Sequence, residues 1–189
     1  MIWKIDSLLF AGLSFALAGQ MSVVKPTAEE ARIFKVFSTQ VQQYVKLRKE
    51  LESALPAMKQ TTQVLKITDN QHELARQITQ ARRNAKPGEI FTPEVEQEFR
   101  KIISGVFRGP KAQMARNTIR PDEKPVAAVA FKVNDVRPVD MPTATMPPTL
   151  LSKLPPLPPG LAYLIVGHHF LLKDTSAGLI VDLIPNAVP

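Results

Sequence analysis

Helical spacing of apolar residues through the first half of the chain, a proline-dense middle and three short apolar runs near the C-terminus predict an α+β protein. A basic helical module of about three helices, residues 25–120, packs with a small antiparallel β-meander, residues 161–189. Residues 121–160 join them as one strand and a proline-rich connector. Charge and proline divide the chain at the same place. Residues 25–120 hold 18 Lys/Arg against 10 Asp/Glu, and residues 121–189 hold 5 against 6. Twelve of the 17 prolines lie at or after Pro121.

Residues 1–18 read as a cleaved signal peptide. Lys4 precedes an apolar run from Leu8 to Ala18, and Ala16-Leu17-Ala18 supplies small residues for cleavage. Asp6 is the one feature that runs against this pattern, because it offsets the positive charge near the start. The run is too short to span a bilayer, which takes roughly 20 apolar residues. The expected location is therefore exported, periplasmic or extracellular, with a soluble mature chain. The 189 residues include no cysteine. That excludes disulfides, thiol nucleophiles, cysteine metal sites and lipid-modified cysteine anchors. Such a chain is held together by packing alone.

The first helix is predicted over residues 27–54. Thr27 is a capping residue, and Glu29 and Glu30 suit the positive end of the helix dipole. Ile33, Phe34, Phe37, Val41, Tyr44, Val45, Leu51 and Leu55 recur mostly at steps of three and four. Lys35, Gln42, Lys46, Lys49 and Glu50 fall on the other face, and Pro56 ends the helix. A weaker helical stretch follows around Met58, Leu65 and Ile67. Thr68-Asp69-Asn70-Gln71 resembles a capping box opening a second helix through Leu74, Ile78, Ala81 and Ala85, stopped at Lys86-Pro87-Gly88. Thr92-Pro93-Glu94 opens a third, with Val95, Phe99, Ile102, Ile103, Val106 and Phe107 as its stripe and Gly109-Pro110 as its end.

Residues 126–133 read as a strand. From Arg137 to Pro159 proline recurs too often for a helix or an inner strand. Leu150, Leu151, Leu154 and Leu157 nevertheless predict that this connector is partly docked. Residues 163–166, 170–173 and 179–182 each read as a short strand. Gly167-His168-His169 makes the first connection, and Asp174 to Gly178 the second. These strands are apolar at nearly every position, so both faces of the sheet need cover. Helices are expected on one face and the leucine-proline connector on part of the other.

Pro158-Pro159-Gly160, Tyr163, Val166-Gly167, Leu172, Asp174, Gly178 and Ile180-Val181-Asp182 form a pattern that resembles the C-terminal unit of small exported bacterial proteins, notably the periplasmic nickel/cobalt homeostasis (RcnB-like) family. The resemblance is confined to this unit and consists of glycines, prolines and apolar positions. It implies an envelope location and a small sheet. It carries no metal ligand over to this chain.

His168 and His169 are the candidate metal ligands. Neighbours in a strand point to opposite faces, and two ligands fall short of the three or four that zinc takes. The residues therefore read first as turn residues, with no cofactor. Asp174 and Asp182 form the one conceivable carboxylate pair for acid/base work, but nothing near them in the sequence supplies a nucleophile. They read as turn formers, and no catalytic residue is assigned. No phosphate-binding loop or metalloprotease motif occurs. The densest basic clusters, Lys46-Leu47-Arg48-Lys49 and Arg82-Arg83, read as solvated helix faces and not as a nucleic-acid surface. The expectation is a non-enzymatic envelope protein that binds a partner protein or an anionic envelope component, or that self-associates through helix 27–54. A metal-homeostasis role is the alternative, and an enzyme with an unrecognised site is the third.

Overall fold

A computed structural model describes residues 26–55, 64–119, 131–136 and 144–189, with residues 64–67 described as backbone only. The expected signal segment lies outside these residues. The arrangement is α+β. Helices α1 (Ala28–Ala54), α2 (Val64–Ala81), α3 (Pro93–Arg108), α4 (Ala112–Thr118) and α5 (Pro148–Leu151) precede strands β1 (Leu161–Val166), β2 (His169–Asp174) and β3 (Leu179–Ile184). The three strands form an antiparallel meander in sequence order.

The sequence shapes α1 as its spacing predicts. Thr27 caps it in a reciprocal box: its hydroxyl accepts from the Glu30 N–H at 3.2 Å, and the Glu30 carboxylate accepts from the Thr27 N–H at 2.6 Å. Ile33, Phe37, Val41, Tyr44 and Val45 are buried, while Lys35, Gln42, Lys46, Lys49 and Glu50 are exposed. In α2 the expected start is corrected. The helix already runs from Val64, so Thr68 lies inside it, and its end comes at Ala81. Leu74 and Ile78 are buried, whereas Ala81 is exposed and Ala85 lies beyond the end. Pro93 opens α3, but Thr92 makes no side-chain cap. Two short helices, α4 and α5, were not anticipated. Pro148 sits in the first turn of α5, where its missing N–H costs nothing.

One aromatic-rich core lies between the helices and the sheet. Phe37, Phe91, Phe99, Tyr163 and Phe170 form a connected set of ring contacts with centroids 5.1–6.2 Å apart. Leu161, Tyr163, Ile165, Phe170, Leu172, Leu179 and Val181 belong to this core. Val166, Leu171, Ile180 and Leu183 face the other way and pack with Phe131, Val133 and Leu164. The cover of this second face is thus corrected. The connector leucines Leu150 and Leu154 join the helix-side core, and Phe131 and Val133 take the role expected of them. Residues 131–133 are not a strand: Val133 and Asn134 make a turn beside β3. The rest of that expected strand, residues 126–130, lies outside the described residues.

Both sheet edges carry a single-residue bridge: Val136 pairs with Leu179, and Ala144 with Ile165. In the β2–β3 ladder the register slips between Leu172, opposite Asp182, and Lys173, opposite Ile180. Val181 is the extra residue of a β-bulge. Its insertion turns both Val181 and Asp182 toward the helices.

Candidate functional site

Asp174 and Asp182 are both completely buried. Burying a carboxylate is costly unless donors replace its water, so the surroundings of each indicate what it is for. The expectation of a turn former at a strand end is corrected for Asp182, which accepts from the distant residues 88–91. Asp174 does form its turn: Oδ1 accepts from the N–H groups of Ser176 and Ala177 at 2.8 and 2.9 Å. Its other oxygen faces α1. Tyr44 Oη donates to Oδ2 at 2.7 Å, and the Arg48 guanidinium lies 3.5 Å from the same oxygen.

Arg48 is only 5% exposed. Its Nη2 donates to the Pro159 carbonyl at 3.0 Å. Gly160 explains how the connector comes so close. Its φ is +84°, and a Cβ there would stand 2.2 Å from the guanidinium. The Pro158-Pro159-Gly160 segment is thus a backbone seat for a buried arginine. Burial raises the Tyr44 phenol far above its ordinary value, and the Asp174 carboxylate adds to the effect, so this hydroxyl stays protonated and donates.

Asp182 is held differently. Its oxygens accept from the backbone N–H groups of Gly88 (3.0 Å), Ile90 (2.8 Å), Phe91 (2.8 Å) and Leu183 (2.8 Å). Residues 88–91 form the link between α2 and α3, so Asp182 fastens that link to β3. These donors precede α3, and the Thr92 hydroxyl is buried without a hydrogen-bond partner among the described residues. Arg82 closes the assembly. It donates to Asn134 Oδ1 and the Val181 carbonyl, pairs with Glu89, and stacks 5.1 Å from the Tyr44 ring centre. Arg48 and Arg82, members of the two basic clusters read as solvated, therefore point inward, and only their neighbours are solvated.

His168 and His169 sit at different stations. Gly167 (φ +56°) and His168 form a two-residue turn, and His169 begins β2 opposite Val166. His168 Nδ1 and the Val188 carbonyl are 2.9 Å apart, and the Val188 N–H donates to the His168 carbonyl at 3.0 Å. The carbonyl can only accept, so Nδ1 carries the proton. The pair of bonds pins the C-terminal tail to the hairpin. The His169 ring packs edge-on to Phe131 at 5.4 Å, with its Nδ1 buried and unbonded. Loss of hydration lowers its pKa, and the neighbouring His168 lowers it further. Among the described residues, no three His, Asp or Glu side chains gather where they could hold one metal ion.

A cleft of about 270 Å³ with a mixed lining lies between α1 and the connector, bounded by Phe37, Ser38, Val41, Gln42, Leu157 and the two prolines beside it. Neither buried aspartate lines it. The structure brings Tyr44, Arg48 and Asp174 together, and it keeps Asp182 in a separate nest. Compared with known proteins, the chain matches no family model, no curated protein and no solved structure. Among the described residues, no helix is long and apolar enough to cross a membrane.

Proposed function

We propose that the protein is a non-enzymatic, exported envelope protein that acts by binding a partner protein or an anionic envelope component. One observation carries this reading. The groups best suited to acid/base chemistry, Asp174 and Asp182, spend their oxygens on backbone and side-chain donors of the fold itself. A carboxylate used in this way cross-links elements and has little capacity left for a substrate. Self-association through helix 27–54 would use the outer, polar face of α1, because Phe37, Val41 and Tyr44 are turned into the core. The test is expression in the native host, with mass spectrometry of the mature N-terminus and cross-linked pull-down from the envelope fraction. The expected product starts after Ala18 and is recovered with an envelope component. An intact Met1 in the cytoplasm would end the export reading.

A periplasmic nickel/cobalt homeostasis role is the second reading. It is favoured by the resemblance of the C-terminal unit and by the unbonded His169 Nδ1 beside His168. Titration calorimetry with Ni²⁺, Co²⁺ and Zn²⁺ separates the two. Micromolar binding that disappears in the His168→Ala/His169→Ala variant would place this reading first, and the first reading expects no such binding.

A further inference from the structure

The corner between α3 and α4 combines exposed cations with an exposed apolar side chain. From Phe99 to Pro121 the sequence holds six cations, Arg100, Lys101, Arg108, Lys111, Arg116 and Arg120, and no Asp or Glu. Several other exposed helical cations pair with acids, Arg32 with Glu29 and Glu94, Arg76 with Glu73, and Lys46 with Glu50, whereas Lys35 and Lys49 on α1 pair with no described residue. Within the basic stretch, Arg100 and Lys101 pair with Glu96 and Glu98 on α3, and Arg116 donates to the Phe107 carbonyl. Arg108 and Lys111, either side of the Gly109-Pro110 turn, are exposed, and their side chains make no hydrogen bond or ion pair with any described residue. Met114 lies three residues beyond Lys111, close to it on the surface. At 65% it is the most exposed large apolar side chain among the described residues.

We propose that this corner, Arg108, Lys111 and Met114, docks on the surface of a bilayer containing anionic phospholipid. Two exposed cations, unpaired among the described residues, match a layer of lipid phosphates, each contributing attraction that salt screens. The exposed methionine decides between anionic partners. A flexible apolar side chain flanked in sequence by cations gains by entering the headgroup–acyl boundary. It gains nothing from a hydrated wall polymer. Nucleic acid is disfavoured because the aromatic ring nearest in sequence, Phe107, is fully buried and offers no face for a base. The inference rests on the binding reading above and gives it a partner and a face.

The experiment is sedimentation of the full chain with vesicles of equal parts phosphatidylglycerol and phosphatidylcholine, and with phosphatidylcholine vesicles alone. The ratio of the two affinities is the readout, because the apolar residues 8–18 contribute to both. The wild-type chain should prefer the anionic vesicles, and the preference should collapse in roughly 0.5 M salt, where the Debye length is a few ångströms. Arg108→Gln/Lys111→Gln should lower the ratio by about 25-fold, at about fivefold per cation. Lys111→Gln alone should lower it about fivefold, which keeps the test readable if the double variant folds poorly. Met114→Ser should weaken anionic-vesicle binding several-fold, whereas Lys46→Gln/Lys49→Gln on α1 should leave the ratio nearly unchanged. No preference for phosphatidylglycerol, an equal loss in the α1 variant, or complete displacement by a soluble polyanion with Met114→Ser silent would each overturn the proposal. If vesicle binding fails while the envelope cross-link persists, this surface is wrong and the binding reading survives. If both fail, both are wrong.

Discussion

Asp174 and Asp182 are the same residue type, lie on the same helix-facing side of one sheet and are equally buried, yet they are compensated in opposite ways. At the Asp174 corner, α1 brings a tyrosine hydroxyl and a guanidinium, and the local turn brings two N–H groups. At the Asp182 corner, four backbone N–H groups do all of the work. The first arrangement shares its carboxylate among elements, so the loss of one partner leaves the others in place. The second has no reserve, because a backbone donor cannot turn elsewhere to find another acceptor.

The largest expected effect is therefore at Asp182. Asp182→Ala would orphan the Ile90 and Phe91 donors in the core, at roughly 1–3 kcal/mol for each unsatisfied group. With the Gly88 donor added, the total reaches about 5 kcal/mol, comparable with the whole stability of a small domain. We expect the variant not to fold; a cooperative denaturant transition near that of the wild type would show that the nest is dispensable. Arg48→Met should cost less, about 3 kcal/mol, at the lower end for breaking a buried ion pair, because Asp174 keeps three other donors. Combining it with Asp174→Asn should cost less than the sum of the two single changes, as expected for partners in one network. Strict additivity in chemical denaturation would mean that the two side chains do not cooperate.

The glycines sharpen the same contrast. Gly160→Ala should cost about 2 kcal/mol or more, because the new Cβ meets Arg48 as well as a positive φ. Gly167 has positive φ but open space around it, so Gly167→Ala should cost only about 1 kcal/mol. Thermal melts that rank the two alike would remove the connector seat from the account. The smallest effect concerns pH. The folded-state pKa of His169 lies below the ordinary histidine value of about 6.5. Protonation then favours the unfolded chain, in which the ring is hydrated. This contribution to stability is fully present above the unfolded pKa and is lost as pH falls below it, through the depressed folded value. Melting temperature should drop slightly below about pH 6.5, and His169→Phe should flatten that slope.

Much of the architecture was readable because it is written in local periodicity. The α1 stripe, the Thr27 cap and the three apolar runs of the meander all appear within a few residues of one another. Some of what the sequence reading missed was nevertheless marked. Arg48 follows Val41, Tyr44 and Val45 at helical spacing and so falls on the buried stripe, but its charge invited a solvated reading. Asp182 stands alone in Leu179-Ile180-Val181-Asp182-Leu183-Ile184, where strict alternation puts it on the face opposite Val181. The bulge that reverses this depends on pairing with β2 and leaves no local sign. The Asp182 nest depends on donors about 90 residues away in sequence, which periodicity does not reach.

The seat of Arg48 also bears on the order in which the chain acquires structure. Its carbonyl partner is 111 residues downstream, and its carboxylate partner lies further still. Until β2 exists, α1 carries a cation on its apolar stripe with no group to compensate it. Long-range closure of this kind is slow, and a chain emerging N-terminus first meets it last. We therefore expect a ribosome-bound chain truncated before Gly160 to leave α1 as open to protease as an unfolded segment, with protection appearing only when residues 160–174 are supplied. The first two strands of the meander thus act as the release signal for folding of the helices made before them.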